Sequence, residues 1–197
     1  MKSGRGLSAD KNSFMIIGIT GSFGAGKGTV VDYLKEKHAF VHYSASGFIV
    51  EEIERRNLPV NRDSMIVVAN ELRADNGPSY IIDSLYARAE EVEGDVIIES
   101  LRAVAEVQRI KELGGIVLGI DALPEVRFAH ILARNSVKDH VTFEKWLEQE
   151  KAESNQNDPT KQNIFGALKE SDYIITNNGT LDEFYAEVEK FLESVDF

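Results

Sequence analysis

Residues 21–29 have the sequence Gly21-Ser22-Phe23-Gly24-Ala25-Gly26-Lys27-Gly28-Thr29, and they follow the apolar run Met15–Ile19. Glycines at this spacing let backbone N–H groups close around the phosphates of a nucleotide. In such loops the lysine reaches the β- and γ-phosphates and a hydroxyl meets Mg²⁺. The nine residues therefore predict a phosphate-binding loop, called the P-loop below, which binds a nucleoside triphosphate together with Mg²⁺.

Each residue of the P-loop is a candidate nucleotide contact, and Lys27 is also a candidate catalytic residue. The residue after the lysine is normally Ser or Thr, but here it is Gly28. Either Thr29, our candidate metal ligand, or a water molecule then supplies the oxygen for the metal. The Gly-Lys-Gly-Thr ending resembles the loops of adenylate kinase and related nucleotide kinases. The alternative, an ordinary strand-to-helix turn, needs no lysine at this spacing.

The composition of the chain limits its class. The 197 residues are 43% apolar, which is enough for one compact domain, predicted over residues 14–197. Residues 1–13 are polar, lack the apolar segment of a secretory signal, and are predicted to form a flexible tail. No cysteine is present, and no apolar run approaches the roughly 18 residues of a membrane span. We therefore predict a cytoplasmic protein that is not embedded in a membrane.

A formal charge of −11 argues against long nucleic acid as a partner, because a polyphosphate backbone would be repelled. A small phosphate acceptor needs only a local basic pocket. The four histidines form no metal-binding pair on one helix face, so we interpret them as surface or core residues. These histidines are His38, His42, His130 and His140.

Apolar strand-like runs alternate with helical patterns, which is typical of a parallel α/β sheet with buried strands. The predicted strands are Met15–Thr20, Phe40–Tyr43, Val96–Glu99, Ile116–Asp121 and Tyr173–Thr176. The predicted helices are Lys27–Lys37, Gly47–Arg56, Ser64–Ala74, Ser79–Glu91, Ala103–Leu113, Glu125–Arg134, Phe143–Glu153, Ile164–Glu170 and Leu181–Glu193.

A polar stretch from Asn135 to Asn163 interrupts this alternation just before the last predicted strand. Long polar insertions in compact domains are often functional. In a phosphoryl-transfer enzyme such an insertion is a lid that closes to exclude water. We interpret residues 135–163 as this lid, with a plain mobile loop as the alternative.

Several segments resemble dephospho-CoA kinase and its archaeal relatives of unassigned function, within the nucleoside-monophosphate-kinase group. Besides the P-loop, these segments are Arg62–Gly77, Val96–Val107, Asp121–Arg134 and Ser171–Thr180. The resemblance implies a three-layer P-loop NTPase fold with a five-stranded parallel sheet, helices on both faces and a lid insertion. It also implies that the helices over residues 44–92 lie on the substrate side.

The resemblance further suggests an acidic residue and several arginines as site residues outside the P-loop. Glu99 matches an acidic residue at the end of the third strand, close to the Mg²⁺ shell. Arg134 stands at the entrance to the lid and is the candidate for contact with the transferred phosphate. Arg62 and Arg73 match arginines in the substrate-side helices of the relatives, and Arg102 matches one in the turn after the third strand. For all three, ion pairing at the surface is the alternative. Arg127 lies seven residues before Arg134 and so on the same helix face.

Two positions depart from the pattern of these relatives. They usually carry an aspartate at the start of the helix after the second strand and an arginine three residues later. The corresponding residues here are Gly47 and Val50, neither of which can bind phosphate or take a proton with its side chain. Ser44, Ser46 and Glu51 are the neighbours that could substitute for them.

Asn177 and Gly179 follow the last predicted strand, where the relatives hold the adenine. The same residues predict an Asn-Gly turn, after which Thr180 and Glu183 form a capping box for the final helix. Both interpretations can hold together.

We therefore expect an ATP-dependent kinase that transfers the γ-phosphate to the hydroxyl or phosphate of a nucleotide-like small molecule. Dephospho-CoA kinase is one alternative, although Gly47 in place of an acidic residue counts against it. A nucleotide-binding regulator without efficient transfer is another, and the pair Gly47 and Val50 favours it.

Overall fold

The computed structural model describes residues 14–133, 142–154 and 158–197. The predicted tail over residues 1–13 lies outside the described residues, as do Arg134 and His140. Two parts of the predicted lid, residues 135–141 and 155–157, also lie outside them. Among the described residues, no helix is both long and apolar enough to cross a membrane.

Five parallel strands form one sheet in the order β2-β3-β1-β4-β5. The strands are β1 Ile16–Gly21, β2 Val41–Ser44, β3 Val96–Leu101, β4 Ile116–Asp121 and β5 Tyr173–Thr176. All five predicted strands are confirmed, and β3 continues two residues beyond its predicted end. The strand that leads into the P-loop is central, so both of its neighbours present their carboxyl ends beside that loop.

Helices cover both faces of the sheet, as predicted. Those after the first two strands are α1 Lys27–His38, α2 Ala45–Arg55, α3 Arg62–Asn76 and α4 Tyr80–Ala89. The remaining helices are α5 Val104–Glu112, α6 Pro124–Ala133, α7 Phe143–Ser154, α8 Ile164–Lys169 and α9 Leu181–Ser194. Each predicted helix is present within about two residues of its expected ends, which is the usual uncertainty of helix boundaries.

Alternation along β1 divides the apolar core into two layers, because successive side chains of a strand point to opposite faces. Ile16 packs with residues of α2, α3, α4 and α5 on one face. Ile17 and Ile19 pack with α1 and α9 on the other face. The result is the expected three-layer α/β architecture, in which α1 and the P-loop share one face of the sheet.

Strand β3 contains a bulge at its carboxyl end. Ile19 of β1 pairs with Glu99, but the next residue, Thr20, pairs with Leu101. Ser100 is therefore an extra residue, and its φ of 72° lies in the left-handed region. Bulges turn the local strand direction and re-aim side chains. The sequence pattern gave no sign of this irregularity, since the left-handed residue is not a glycine.

A buried ion pair joins α3 to the start of α5. The Arg73 Nε and Nη2 atoms donate to Glu106 Oε1 at 2.9 and 2.7 Å. The other carboxylate oxygen of Glu106 accepts the backbone N–H groups of Arg102 and Ala103 at 2.7 and 3.1 Å. Arg73 is 1% exposed, so both alternatives considered for it, substrate contact and surface ion pairing, are wrong. The pair instead fixes the turn that follows β3.

Replacing Arg73 with methionine should leave the Glu106 carboxylate buried without its cation. Breaking a buried pair from one side commonly costs about 3–5 kcal/mol of folding stability. We expect Arg73→Met to lower the free energy of unfolding by an amount in this range, measured by urea denaturation.

The control is Lys190→Met, which breaks an exposed pair with Glu187 on α9. Exposed pairs contribute little, so this variant should unfold like the wild type. If Arg73→Met also unfolds like the wild type, the buried pair does not support the fold.

Candidate functional site

The P-loop is held against β4 by a close backbone approach. Ser22 N donates to Ile120 O at 3.2 Å, and a Cβ atom placed on Gly21 would lie 2.1 Å from that same oxygen. Gly24 has a φ of 83°, and a Cβ there would lie 2.5 Å from Arg127 O. A side chain at either position would push the loop off its neighbours, which explains the glycines physically.

Lys27 lies across this loop. Its Nζ atom donates to Gly21 O at 2.8 Å and to Ser22 O at 3.0 Å. The two carbonyl groups thus hold an ammonium group at the edge of the loop. The arrangement places a cation where an oxyanion approaching the loop would meet it.

The first turn of α1 opens directly from the P-loop. Gly26 is its N-cap residue and provides no side-chain cap, and the first turn contains no acidic residue. The first N–H groups of a helix have no partner within the helix, and the helix dipole favours an anion there. Loop and helix together therefore form a site suited to phosphate.

Gly28 occupies open space, because a Cβ atom placed there would have no described atom within 4 Å. Packing among the described residues therefore does not exclude a serine or threonine at this position. Thr29, the candidate metal ligand, lines a cleft beside the loop.

This cleft has a volume of about 280 Å³. Its lining comes from the P-loop, α6 and the connection into α9: Gly26, Thr29, His130, Ala133, Asn177, Gly179, Leu181 and Phe184. Asn177 and Gly179, expected at an adenine site, both line it. The Asn177 Nδ2 atom donates to Ala25 O at 2.9 Å, so this side chain also braces the P-loop. The predicted capping box of Thr180 and Glu183 is confirmed.

Glu99 lies at the carboxyl end of β3, opposite Ser44 of β2. Ser100 Oγ donates to Glu99 Oε1 at 2.7 Å, and Ser44 Oγ donates to Oε2 at 3.3 Å. His42 Nε2 lies 3.8 Å from Oε2, which is an electrostatic contact rather than a hydrogen bond. Ser44 Oγ is also 2.9 Å from Ser46 Oγ. The carboxylate is thus surrounded by hydroxyl groups and an imidazole.

Two opposing influences act on the pKa of Glu99. Burial raises it, whereas His42, the Ser100 hydroxyl and the charge of Lys27 lower it, and the pKa ends below its ordinary value. The carboxyl group is therefore ionised at neutral pH. Protonation, with loss of this charge, requires a pH below the ordinary range for glutamate.

The sequence interpretation missed three side chains at the site. His42 and His130 were assigned to the surface or core, but His42 faces Glu99. His130 Nδ1 lies 2.9 Å from Gly24 O and its residue lines the cleft. Nothing in the sequence indicates a role for Ser100, because a serine here occupies a backbone conformation that usually indicates glycine. No local sequence pattern indicates that His42 contacts Glu99, because the contact depends on the pairing of β2 with β3 in the sheet.

The predicted arginines do not form one group. Arg127 is buried and pairs with Glu150 of α7 through Nη1 and Nη2, and its guanidinium stacks over Trp146 at 4.9 Å. It also donates to Phe23 O at 3.4 Å, which links α7 to the P-loop. Arg134 lies outside the described residues. Arg102 follows the bulge of β3, and its carbonyl accepts Asn163 N at 2.7 Å.

Gly47 and Val50 both lie in α2, and Gly47 lies beside the Glu99 cluster. Gly47 N donates to Ser44 Oγ at 3.1 Å, so Ser44 caps α2 while it contacts Glu99. A Cβ atom on Gly47 would lie 3.3 Å from Ser44 Cβ, which leaves room for a side chain after a small shift. Glu51, considered as a substitute, instead pairs with Arg88 at 2.8 Å.

The described residues contain no group of three or more His, Asp or Glu side chains that could hold a metal on their own. Of the residues predicted as magnesium ligands, Thr29 lies in the P-loop and Glu99 lies at the end of β3.

Known proteins give two kinds of similarity. The chain is 29% identical over 188 residues to a UPF0200 protein of Pyrococcus horikoshii, covering 92% of this chain and 97% of the relative. It is 27% identical over 184 residues to a UPF0200 protein of Methanococcus maripaludis, covering 91% and 97%. Thus the similarity extends over nearly the whole of each protein.

Solved structures share the fold at lower identity. The TT1252 protein of Thermus thermophilus superposes with a TM-score of 0.63 at 18% identity, covering 92% of this chain and 97% of that one. Shikimate kinase from Bacteroides thetaiotaomicron gives 0.58 at 14% identity, covering 94% and 100%. The architecture is therefore that of P-loop kinases.

A family model described as an AAA domain, AAA_18, matches residues 17–157. The matched segment begins in β1 and includes the P-loop, Glu99 and the whole of α6. The chain belongs to this family of P-loop AAA domains.

Proposed function

We propose that the protein is an ATP-dependent phosphotransferase that passes the γ-phosphate to a small nucleotide-like acceptor. One observation carries the proposal: the Lys27 ammonium and the ionised Glu99 carboxylate lie at adjacent strand ends beside an uncapped helix. Phosphoryl transfer depends chiefly on positioning and on stabilisation of charge, and these groups supply both.

In this proposal, Lys27 leaves the carbonyl groups of Gly21 and Ser22 to contact the β- and γ-phosphates. The P-loop N–H groups and the first turn of α1 hold the phosphates, and the cleft beside Asn177 and Gly179 receives the adenine. A developing negative charge on the transferred group would then face both a cation and a helix N-terminus.

Magnesium, when bound, neutralises charge on the phosphate oxygens. Glu99 would hold it directly or through water, and Thr29 or a water would supply a further oxygen. Burial alone would raise the pKa of Glu99, but its polar neighbours and Lys27 offset that effect, so the carboxylate keeps the negative charge that this role needs.

The acceptor would enter between the P-loop and the substrate-side helices, near Ser44, Ser46 and His42. Because Gly47 and Val50 carry no charge, recognition there would rest on hydroxyl and imidazole groups. Dephospho-CoA remains one possible acceptor, and a nucleoside or nucleoside monophosphate is another.

A second function, nucleotide binding without efficient transfer, is favoured by the same two residues. A regulator needs the P-loop and the cleft but no group that orients an acceptor. Incubation of the protein with ATP, Mg²⁺ and, in turn, nucleosides, nucleoside monophosphates and dephospho-CoA distinguishes the candidates. A phosphorylated product identifies a kinase and its acceptor, whereas tight ATP binding without any product identifies a regulator.

We also propose that residues 135–163 form a lid over the site. Within that stretch, α7 is anchored to α6 by the buried pair of Arg127 and Glu150 and by Trp146, whose ring lies 5.6 Å from Phe128. We expect backbone amides in residues 135–163 to exchange hydrogen more slowly when a ligand bridging the donor and acceptor sites is added. Amides in the second half of α9, residues 188–194, lie beyond the residues that line the cleft and serve as the internal reference. Equal exchange rates of the amides in residues 135–163 with and without the ligand would contradict the lid and would indicate an ordinary loop.

Replacing Lys27 with alanine should weaken ATP binding and reduce any transfer or hydrolysis by a factor on the order of 10²–10³, the scale for one preorganised charge-stabilising group. Calorimetric titration with Mg·ATP and a coupled ADP assay measure the two effects. Lys35→Ala, an exposed position on the same helix, is the control and should behave as the wild type. Equal ATP affinity in wild type and Lys27→Ala would show that the P-loop is not the nucleotide site.

Restoring charge at the acceptor side should increase transfer. The wild type should transfer to common nucleoside monophosphates well below the roughly 1–100 s⁻¹ usual for kinases. The double variant Gly47→Asp with Val50→Arg should be faster, because a carboxylate and a guanidinium would then orient the acceptor. A wild-type rate within the usual range would contradict this, and would mean that the serines and His42 already orient the acceptor.

A further inference from the structure

Ser100 combines an unfavourable backbone conformation with a short hydrogen bond to a functional side chain. Its φ of 72° is one that residues other than glycine rarely adopt, because the Cβ atom then crowds the backbone. Its hydroxyl donates to Glu99 Oε1 at 2.7 Å. Residues in such conformations persist where the surroundings over-determine them, and they are concentrated at functional sites.

The surroundings of Ser100 do over-determine it. On the preceding side, Glu99 is fixed in register with Ile19 and Ser44. On the following side, Leu101 O accepts the buried hydroxyl of Thr20 at 2.9 Å. The next two backbone N–H groups are bound by Glu106, which the buried Arg73 holds in place. The bulge is thus clamped from both ends.

A glycine at position 100 would relieve the backbone without disturbing these clamps. It would, however, remove the hydroxyl that donates to Glu99 Oε1 at 2.7 Å. This is the shorter of the two hydroxyl bonds to the carboxylate, since Ser44 donates to Oε2 at 3.3 Å. The serine therefore gives the carboxylate an orientation that backbone stability alone would not require.

We propose that Ser100 is a positioning residue that orients the Glu99 carboxylate toward the P-loop face. This inference rests on the proposed function for the consequence in catalysis, but the orientation itself is a property of the protein alone. Ser100 acts through Glu99 and does not contact the nucleotide or its acceptor.

The test compares Ser100→Gly with Ser100→Ala. Both variants lose the hydroxyl, but only alanine keeps the strained backbone. The melting temperature of Ser100→Gly should therefore be about 2–4 °C above that of Ser100→Ala, which is the shift that one unfavourable residue produces in a domain of this size. Both should lose about tenfold in kcat, the effect of one lost hydrogen bond, and both should need more Mg²⁺ for half-maximal rate, with an unchanged KM for ATP.

If the role of Ser100 were purely structural, the variants would rank differently by activity. Activity would then follow melting temperature, and Ser100→Gly would be at least as active as the wild type. Ser100→Thr adds a further separation, since it keeps the hydroxyl but is more strained because its Cβ is branched. It should be less stable than Ser100→Gly yet more active. A kcat of Ser100→Gly equal to that of the wild type would overturn the inference.

A crystal structure of Ser100→Gly tests the role of Ser100 independently of the proposed function, because the rotamer of Glu99 can be observed without any activity. We expect Glu99 to adopt another rotamer or several, with β3 otherwise unchanged. If the wild type shows no nucleotide-dependent activity, the proposed function fails, yet the rotamer still decides the role of Ser100. An unchanged Glu99 side chain in the variant overturns the inference whatever the activity.

Discussion

The backbone of the P-loop approaches the end of β4 too closely to admit a side chain at Gly21, and the rest of the site depends on that contact. It fixes where the loop leaves the central strand, and so where α1 begins. Because β3 lies on the other side of β1, the same constraint sets the position of Glu99 relative to Lys27. The apolar layers on either face keep these three strand ends in place, since their side chains are fully buried.

A second set of contacts holds the acceptor side. Arg73 and Glu106 connect α3 to the turn after β3, and that turn ends the bulge that carries Ser100. Ser44 both caps α2 and contacts Glu99, which links the substrate-side helices to the same carboxylate. On the opposite flank, Arg127 connects α7 to the P-loop. Hydrogen-bonded side chains thus connect α2 and α3 to the end of β3, and α7 to the P-loop.

Much of this arrangement could be predicted from sequence, because hydrophobic alternation and glycine spacing are local signals. The strands, the helices, the P-loop and the Thr180 cap all follow from residues close together in the chain. The burial of Arg73 could not be predicted, since its partner lies 33 residues away and arginines are usually exposed. The contact of His42 with Glu99 depends on strand order, which periodicity does not encode. The bulge was hidden because a serine occupies a conformation that usually indicates glycine.

The uncapped first turn of α1 has a consequence for folding. Its N–H groups have no side-chain cap, and Gly28 within that turn is a poor helix former. A bound phosphate would supply the missing acceptors, and the unfolded chain offers no equivalent site. The folding equilibrium is then linked to ligand concentration, by about 2.7 kcal/mol at a hundredfold excess over the dissociation constant. A turn that lacks a cap of its own would then make the native state longer-lived as the concentration of a phosphate ligand rises.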